Sequence, residues 1–245
     1  IAVYRSYENY GKFTNLNKET SEMANFTGEG YDVDPYYAVY PYSLVHWWGY
    51  YNELVIDLPL SQKYAKNTFA TDMNPMVARA SRNEVLEFQN LCGLLVVNLK
   101  GSEKVKAVSL AAYNESGMLA RIAGIYYADM TYDTEPELSV WSLDNTDPNL
   151  GNMITMDCGD GVQLSPSLAT PFHFVLAPGS YSRISILVTT TDGKTMIKEG
   201  RNPLTISRAQ FVKAGELKYA ESVSVDLSEI GSANCYIVSK AGAYS

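Results

Sequence analysis

The residues able to do chemistry are few and widely spaced. His46 and His173 lie far apart, with no Cys/His spacing around either. A zinc site would therefore draw most of its ligands from carboxylates, against that ion's preference for nitrogen and sulfur. Cys92, Cys158 and Cys235 cannot all pair within one chain and match no metal-ligand spacing. They are expected as free, mostly buried thiols in three separate environments. No Gly-x-Ser-x-Gly elbow occurs, so a Ser-His-Asp hydrolase of that type lacks its nucleophile. Among 27 acidic residues the fold can bring two together as a glycosidase pair, which is opportunity and nothing more. Asp157-Cys-Gly-Asp-Gly161 offers carboxylate and backbone oxygens to a cation, but it lacks the calcium-loop spacing and reads as a hairpin turn. The expectation is a chain with no catalytic, cofactor-binding or metal-ligating residues: not an enzyme.

One aromatic concentration invites a functional reading, His46-Trp-Trp-Gly-Tyr-Tyr51. Neighbouring residues of a strand point to opposite faces, so at least one of Trp47 and Trp48 should turn outward. With Tyr50 it would form a platform that stacks a sugar ring or anchors a protein partner. The plainer alternative puts one ring in the core and the other over a loop.

The elements that must carry these residues read as strands. Leu91, Leu95, Val97 and Leu99 form one alternate set, and Phe88, Cys92, Leu94 and Val96 the other. A strand apolar on both sets belongs in the middle of a packed sheet. Gly101-Ser-Glu-Lys104 then leads into Val105 to Ala112, and the two runs are expected to pair as a hairpin. Tyr36 to Tyr40 before Pro41 and Leu54 to Leu58 before Pro59 are further strands, while Glu8 to Glu29 is a long polar loop or meander. Residues 61–80 hold no helical stripe. Phe172, Phe174 and Leu176 share one face of a strand, Ile184, Ile186 and Val188 one face of the next, and these too should pair. Asp192-Gly193 signals a tight hairpin with positive φ at its centre. Leu204 and Ile206 form a last strand.

Short strands between turn residues make an all-β sandwich or barrel. The length of 245 residues suits one large sandwich or two ordinary ones, and 46% apolar residues fill such cores. Nineteen tyrosines, seven phenylalanines and three tryptophans suit sheet faces and wet interfaces alike. A net charge of −8 opposes phosphate backbones and anionic lipid, which excludes nucleic acid as a natural partner. No signal peptide, long apolar run or lipidation motif is visible. The strand-like start at Ile1 and the abrupt end after Cys235-Tyr-Ile-Val-Ser read as a fragment.

Several segments in series resemble the fimbrillin-like family of surface proteins from Bacteroidales bacteria. They are Tyr36-Tyr-Ala-Val-Tyr-Pro-Tyr42, Leu58-Pro-Leu-Ser-Gln62, Asn74-Pro-Met-Val-Ala78 and Phe88-Gln-Asn-Leu-Cys-Gly-Leu-Leu95 in the first half. Val105-Lys-Ala-Val-Ser-Leu110, Phe172-His-Phe-Val-Leu-Ala-Pro-Gly-Ser-Tyr181 and Thr191-Asp-Gly-Lys-Thr195 follow in the second. Asp226 to Gly242 resembles the opening of a further region in related lipoproteins. The resemblance implies two tandem transthyretin-like, immunoglobulin-like β-sandwich domains in an exported, often lipid-anchored protein of the outer membrane or fimbria. It implies cell adhesion or fimbria assembly by strand exchange, with other fimbrial subunits, surface proteins or glycans as partners. No cofactor is implied, and no lipobox cysteine is present.

The expected organisation is an N-terminal sandwich over 1–101, a second over 102–220, and a linker or further module over 221–245 that lies outside the second core. The alternative function is carbohydrate binding for glycan uptake, on Trp47, Trp48 and Tyr50.

Overall fold

The computed structural model describes residues 1–6, 9–17, 23–29, 34–48, 53–130, 136–140, 151–200 and 202–222. Over these the chain is all-β, apart from one 3-10 turn at Tyr42–Leu44. A five-stranded sheet has the order β11 (Gln89–Asn90), β10 (Met76–Ala80), β5 (Tyr36–Tyr40), β1 (Ala2–Ser6), β2 (Asn9–Lys12). A four-stranded sheet runs β15 (Glu137–Val140), β14 (Gly124–Asp129), β7 (Glu53–Leu58), β6 (Val45–Trp48). The three-stranded sheet is β17 (Thr170–Leu176), β12 (Gly93–Lys100), β22 (Phe211–Lys218). The six-stranded sheet is β20 (Thr195–Gly200), β19 (Arg183–Thr190), β13 (Lys104–Tyr113), β16 (Met153–Gln163), β8 (Ser61–Ala65), β9 (Thr68–Phe69). Two ribbons, β3 (Thr14–Asn15) with β4 (Phe26–Thr27) and β18 (Gly179–Tyr181) with β21 (Leu204–Ile206), complete the described strands.

Alternation supplies the core. Ala2, Tyr4, Tyr37 and Val39 of the five-stranded sheet join Leu54, Ile56, Leu58 and Tyr126 of the four-stranded one in a buried cluster. The same cluster continues through Leu95, Val97, Leu99, Phe172 and Phe174 of the three-stranded sheet to Val108, Leu110, Ile154, Ile186 and Val188 of the six-stranded one. Each fully buried aliphatic or aromatic side chain contributes about 1.5–3 kcal/mol.

The central strand is where its composition places it, yet its partner differs from the expected one. β12 pairs antiparallel with β17 and parallel with β22, not with β13. The short 101–103 link crosses from one sheet to the other, so Leu95 and Val108 come to the shared core from different sheets. Gly101 lies at the crossing, where a Cβ would stand 3.0 Å from Tyr219 Cβ. An apolar face reports that a strand covers a core; it does not report from which side. The same ambiguity separates β17 from β19, expected to pair and found in different sheets.

Strand pairing also runs across the expected boundary at residue 101. β14 pairs with β7, β8 with β16, and β12 with β17 and β22. Strands from either side of residue 101 therefore interleave, and Gly101 marks a change of sheet. Asp192-Gly193 lies in the turn of the β19–β20 hairpin, but the loop is Thr191-Asp192-Gly193, three residues rather than the expected two, closed by Thr190 N–H donating to the Lys194 carbonyl at 2.9 Å, with positive φ at Gly193 (83°) and not at Asp192. Cys158-Gly-Asp-Gly161 does not reverse the chain. It is a bulge inside β16, where the pairing with β13 jumps from Val105↔Val162 to Ala107↔Asp157, and Gly159 and Gly161 take φ of 57° and 102°. Outside the expected strands, β22 adds a parallel neighbour that its mixed residues Phe-Val-Lys-Ala-Gly-Glu-Leu-Lys did not announce.

Candidate functional site

The described residues among those singled out from sequence are carried by different elements of the fold. Trp47 and Trp48 lie in β6, the edge of the four-stranded sheet, opposite Val55 and Leu54, with a register shift at His46. Tyr50 lies outside the described residues, as does Cys235. His173 is 6% exposed and its Nδ1 has no hydrogen-bond partner. Its ring faces that of Phe211 at 6.0 Å, and burial lowers its pKa below the ordinary imidazole value. Cys92 and Cys158 are free and buried. Burial pushes the Cys92 thiol far up, and burial with the neighbouring Asp157 charge raises Cys158 to about 12, so both remain protonated and unreactive. In the β16 bulge, Asp157 Oδ1 accepts the Gly159 N–H at 2.9 Å and Lys106 Nζ donates to the Gly159 carbonyl at 2.6 Å. Two oxygens of this segment, Asp157 Oδ1 and the Gly159 carbonyl, thus already accept hydrogen bonds. Among the described residues no group of three His, Cys, Asp or Glu side chains gathers for a metal.

What the fold brings together instead is a pair of sheet edges. On the β17 side, Gln62 from β8 is 2% exposed. Its Nε2 donates to the Val175 carbonyl at 2.6 Å and its Oε1 accepts the Val175 N–H at 3.0 Å. The side-chain amide thus imitates one residue of a neighbouring strand and satisfies the backbone of β17 where a partner would pair. Tyr64, two residues on and so on the same face of β8, packs its ring 5.2 Å from Phe172, so β8 is anchored to β17 at two points.

The β22 edge has no such closure among the described residues. Leu94 N–H donates to the Gln210 carbonyl at 2.8 Å, and Tyr219 N–H to the Lys100 carbonyl at 2.7 Å, bracketing the β12–β22 ladder. Backbone groups alternate in direction along a strand, so Phe211 and Lys213 turn theirs outward. Phe211 is 50% exposed, Lys213 Nζ sits 5.7 Å from its ring, and Glu216 pairs with Lys100 at 2.7 Å. Gln62 carried no signal of its own in a stretch read only as lacking a helical stripe; the β22 edge carried no sequence signal beyond weak alternation.

A separate apolar groove of about 930 Å³ lies over the five-stranded sheet, lined by Ile1, Val3, Phe13, Phe26, Tyr40 and Phe88 among others.

No helix among the described residues is long and apolar enough to cross a membrane. No protein-family model matches the chain, and no curated protein matches it. Among solved structures, it is similar to the crystal structure of a "putative cell adhesion protein" from Bacteroides fragilis, with a TM-score of 0.39 and 9% identity over 91% of this chain and 81% of that one. A likeness at that level carries no argument about what this chain does.

Proposed function

We propose that this protein is a non-catalytic cell-surface adhesion protein or fimbrial subunit, and that it engages its neighbours by adding a strand to β22. The observation that supports this reading best is the unequal treatment of two edges of one sheet. β17 has both backbone groups of Val175 held by the buried Gln62 amide, while β22 keeps a row of outward backbone groups beside a half-exposed phenylalanine. An edge with one open side accepts an extended segment from one direction, which is what linear assembly or peptide capture by strand addition requires. The fimbrillin-like sequence resemblance points the same way, towards an exported protein of the outer membrane or fimbria whose partners are other subunits or surface proteins.

Proline tests the edge directly. Lys213→Pro removes an outward N–H without touching the ladder to β12. Sedimentation of the full chain, alone and with candidate subunits, should show association weakened by at least about tenfold, about 1.4 kcal/mol. Association unchanged by Lys213→Pro would overturn the reading.

A further inference from the structure

The side chains along β22 form one coherent row. Leu94 stands opposite Phe211, Val96 opposite Lys213, Asn98 opposite Glu216 and Lys100 opposite Lys218. Opposed residues of a sheet share a face, so these four β22 side chains stand together although a bulge separates the second from the third. All four are exposed, while Val212, Ala214 and Leu217 between them are half-buried against the core. The same four residues turn their backbone groups away from β12, because Leu94 N–H reaches the Gln210 carbonyl and Tyr219 N–H the Lys100 carbonyl. A strand added at this edge would lie alongside the row.

The charges of the row are unbalanced. Glu216 is held by Lys100 at 2.7 Å, whereas neither Lys213 nor Lys218 has a carboxylate partner among the described residues. The edge of the six-stranded sheet is arranged differently. There Lys194 Nζ lies 3.7 Å from Asp192 and 3.5 Å from Glu221, and the chain leaving β22 has reached β20. Ser222 N–H donates to the Thr195 carbonyl at 2.7 Å, and Ile197 N–H donates to Ser222 Oγ at 2.9 Å. Glu221 and Ser222, expected outside the second core, are thus bonded to its sheet. In a chain of net charge −8, β22 presents two uncompensated cations beside outward backbone groups.

We propose that the segment β22 takes up is an acidic one: an extended stretch that sets an apolar side chain against Phe211 and carboxylates against Lys213 and Lys218, with apolar residues between them to cover Val212, Ala214 and Leu217. The proposal rests on the strand-addition reading and adds to it the chemistry of the partner. Opposite charges on directly opposed residues stabilise a sheet and like charges destabilise it, so a row that deters most strands admits one of this pattern. Lys213 and Lys218 face Val96 and Lys100, four residues apart on β12. An added strand without a bulge meets the two lysines at the same spacing in either direction, and its carboxylates are drawn to the only cations of the row that lack a partner.

Two synthetic peptides of Val and Thr test it, identical except at two residues of that spacing, which are Glu in one and Lys in the other. Titrated with the full chain and followed by fluorescence anisotropy, the Glu peptide should bind about tenfold more tightly than the Lys peptide. That preference should shrink as sodium chloride rises from about 0.05 to about 0.5 M. The double variant Lys213→Glu, Lys218→Glu, its fold checked by the urea midpoint, should reverse the preference. Equal affinity for the two peptides, both lost in Lys213→Pro, would overturn the acidic pattern and leave strand addition standing. A Glu preference retained in the double variant, or one indifferent to salt, would overturn the proposal by placing the binding elsewhere. Binding of neither peptide would overturn it too, while association of the full chain and its response to Lys213→Pro would still decide the strand-addition reading.

Discussion

At one edge of the three-stranded sheet, a single buried amide holds both backbone groups of Val175. At the other edge, Phe211 and Lys213 hold theirs out to solvent, next to the exposed charges of Glu216 and Lys218. The two strands differ in composition accordingly. β17 is buried from Phe172 to Leu176, and an unpaired amide or carbonyl so far from water would cost as much as a lost hydrogen bond. β22 alternates exposed and half-buried residues, so its edge groups are hydrated at little cost, and its lysines discourage indiscriminate pairing. One glutamine thus does for the backbone of Val175 at a buried edge what water does at an exposed one.

The comparison is broken most severely at Gln62. Gln62→Leu keeps the volume but strands the Val175 N–H and carbonyl, and should cost about 2–4 kcal/mol in a urea titration. A loss below about 1 kcal/mol would mean that β17 has another source of satisfaction. Next comes the central strand that both edges share. A Cβ on Gly93 would collide with Ile206 Cγ2 and the Ser207 carbonyl, so Gly93→Ala should cost about 1–3 kcal/mol by displacing β21. Wild-type stability in that variant would show that β21 yields freely.

A smaller effect is expected from pH. His173 projects from β17 towards Phe211 on β22, and its folded-state pKa lies below the ordinary value. As pH falls, the unfolded chain takes up the imidazole proton first, so this contribution is present above about pH 6.5 and is lost progressively below it. The denaturation midpoint should fall between about pH 7 and pH 5, less steeply in His173→Gln than in the wild type. Equal slopes would remove His173 as the cause. The smallest stability change belongs to the open edge. Lys213→Pro should leave stability within about 0.5 kcal/mol of wild type, whatever it does to association. A larger loss would place that N–H in the fold itself.

How much of this was legible in the chain depends on range. Alternation at Tyr36–Tyr40, Glu53–Leu58 and Gly93–Lys100 identifies strands, because the pleat turns successive side chains to opposite faces whatever the partner. Double-sided apolarity puts β12 in the middle of a sheet, and Asp192-Gly193 marks its turn through local backbone freedom at Gly193. These are properties of a few consecutive residues, and they determined the all-β class.

Pairing is another matter. β12 and β13 resemble a hairpin in every local respect, yet Gly101 carries the chain across the core, and only the packing of both apolar faces distinguishes a crossing from a return. The bulge at Cys158–Gly161 reads locally as a turn, because glycines with positive φ serve both. Gln62 closes an edge 113 residues away, and Ser222 meets β20 only after the intervening strands have formed. The sequence by itself determined which segments are strands and which faces are apolar. The tertiary structure decided which strands pair and which edges stay open, because backbone hydrogen bonding is the same for every residue type but proline and its partners are chosen by burial.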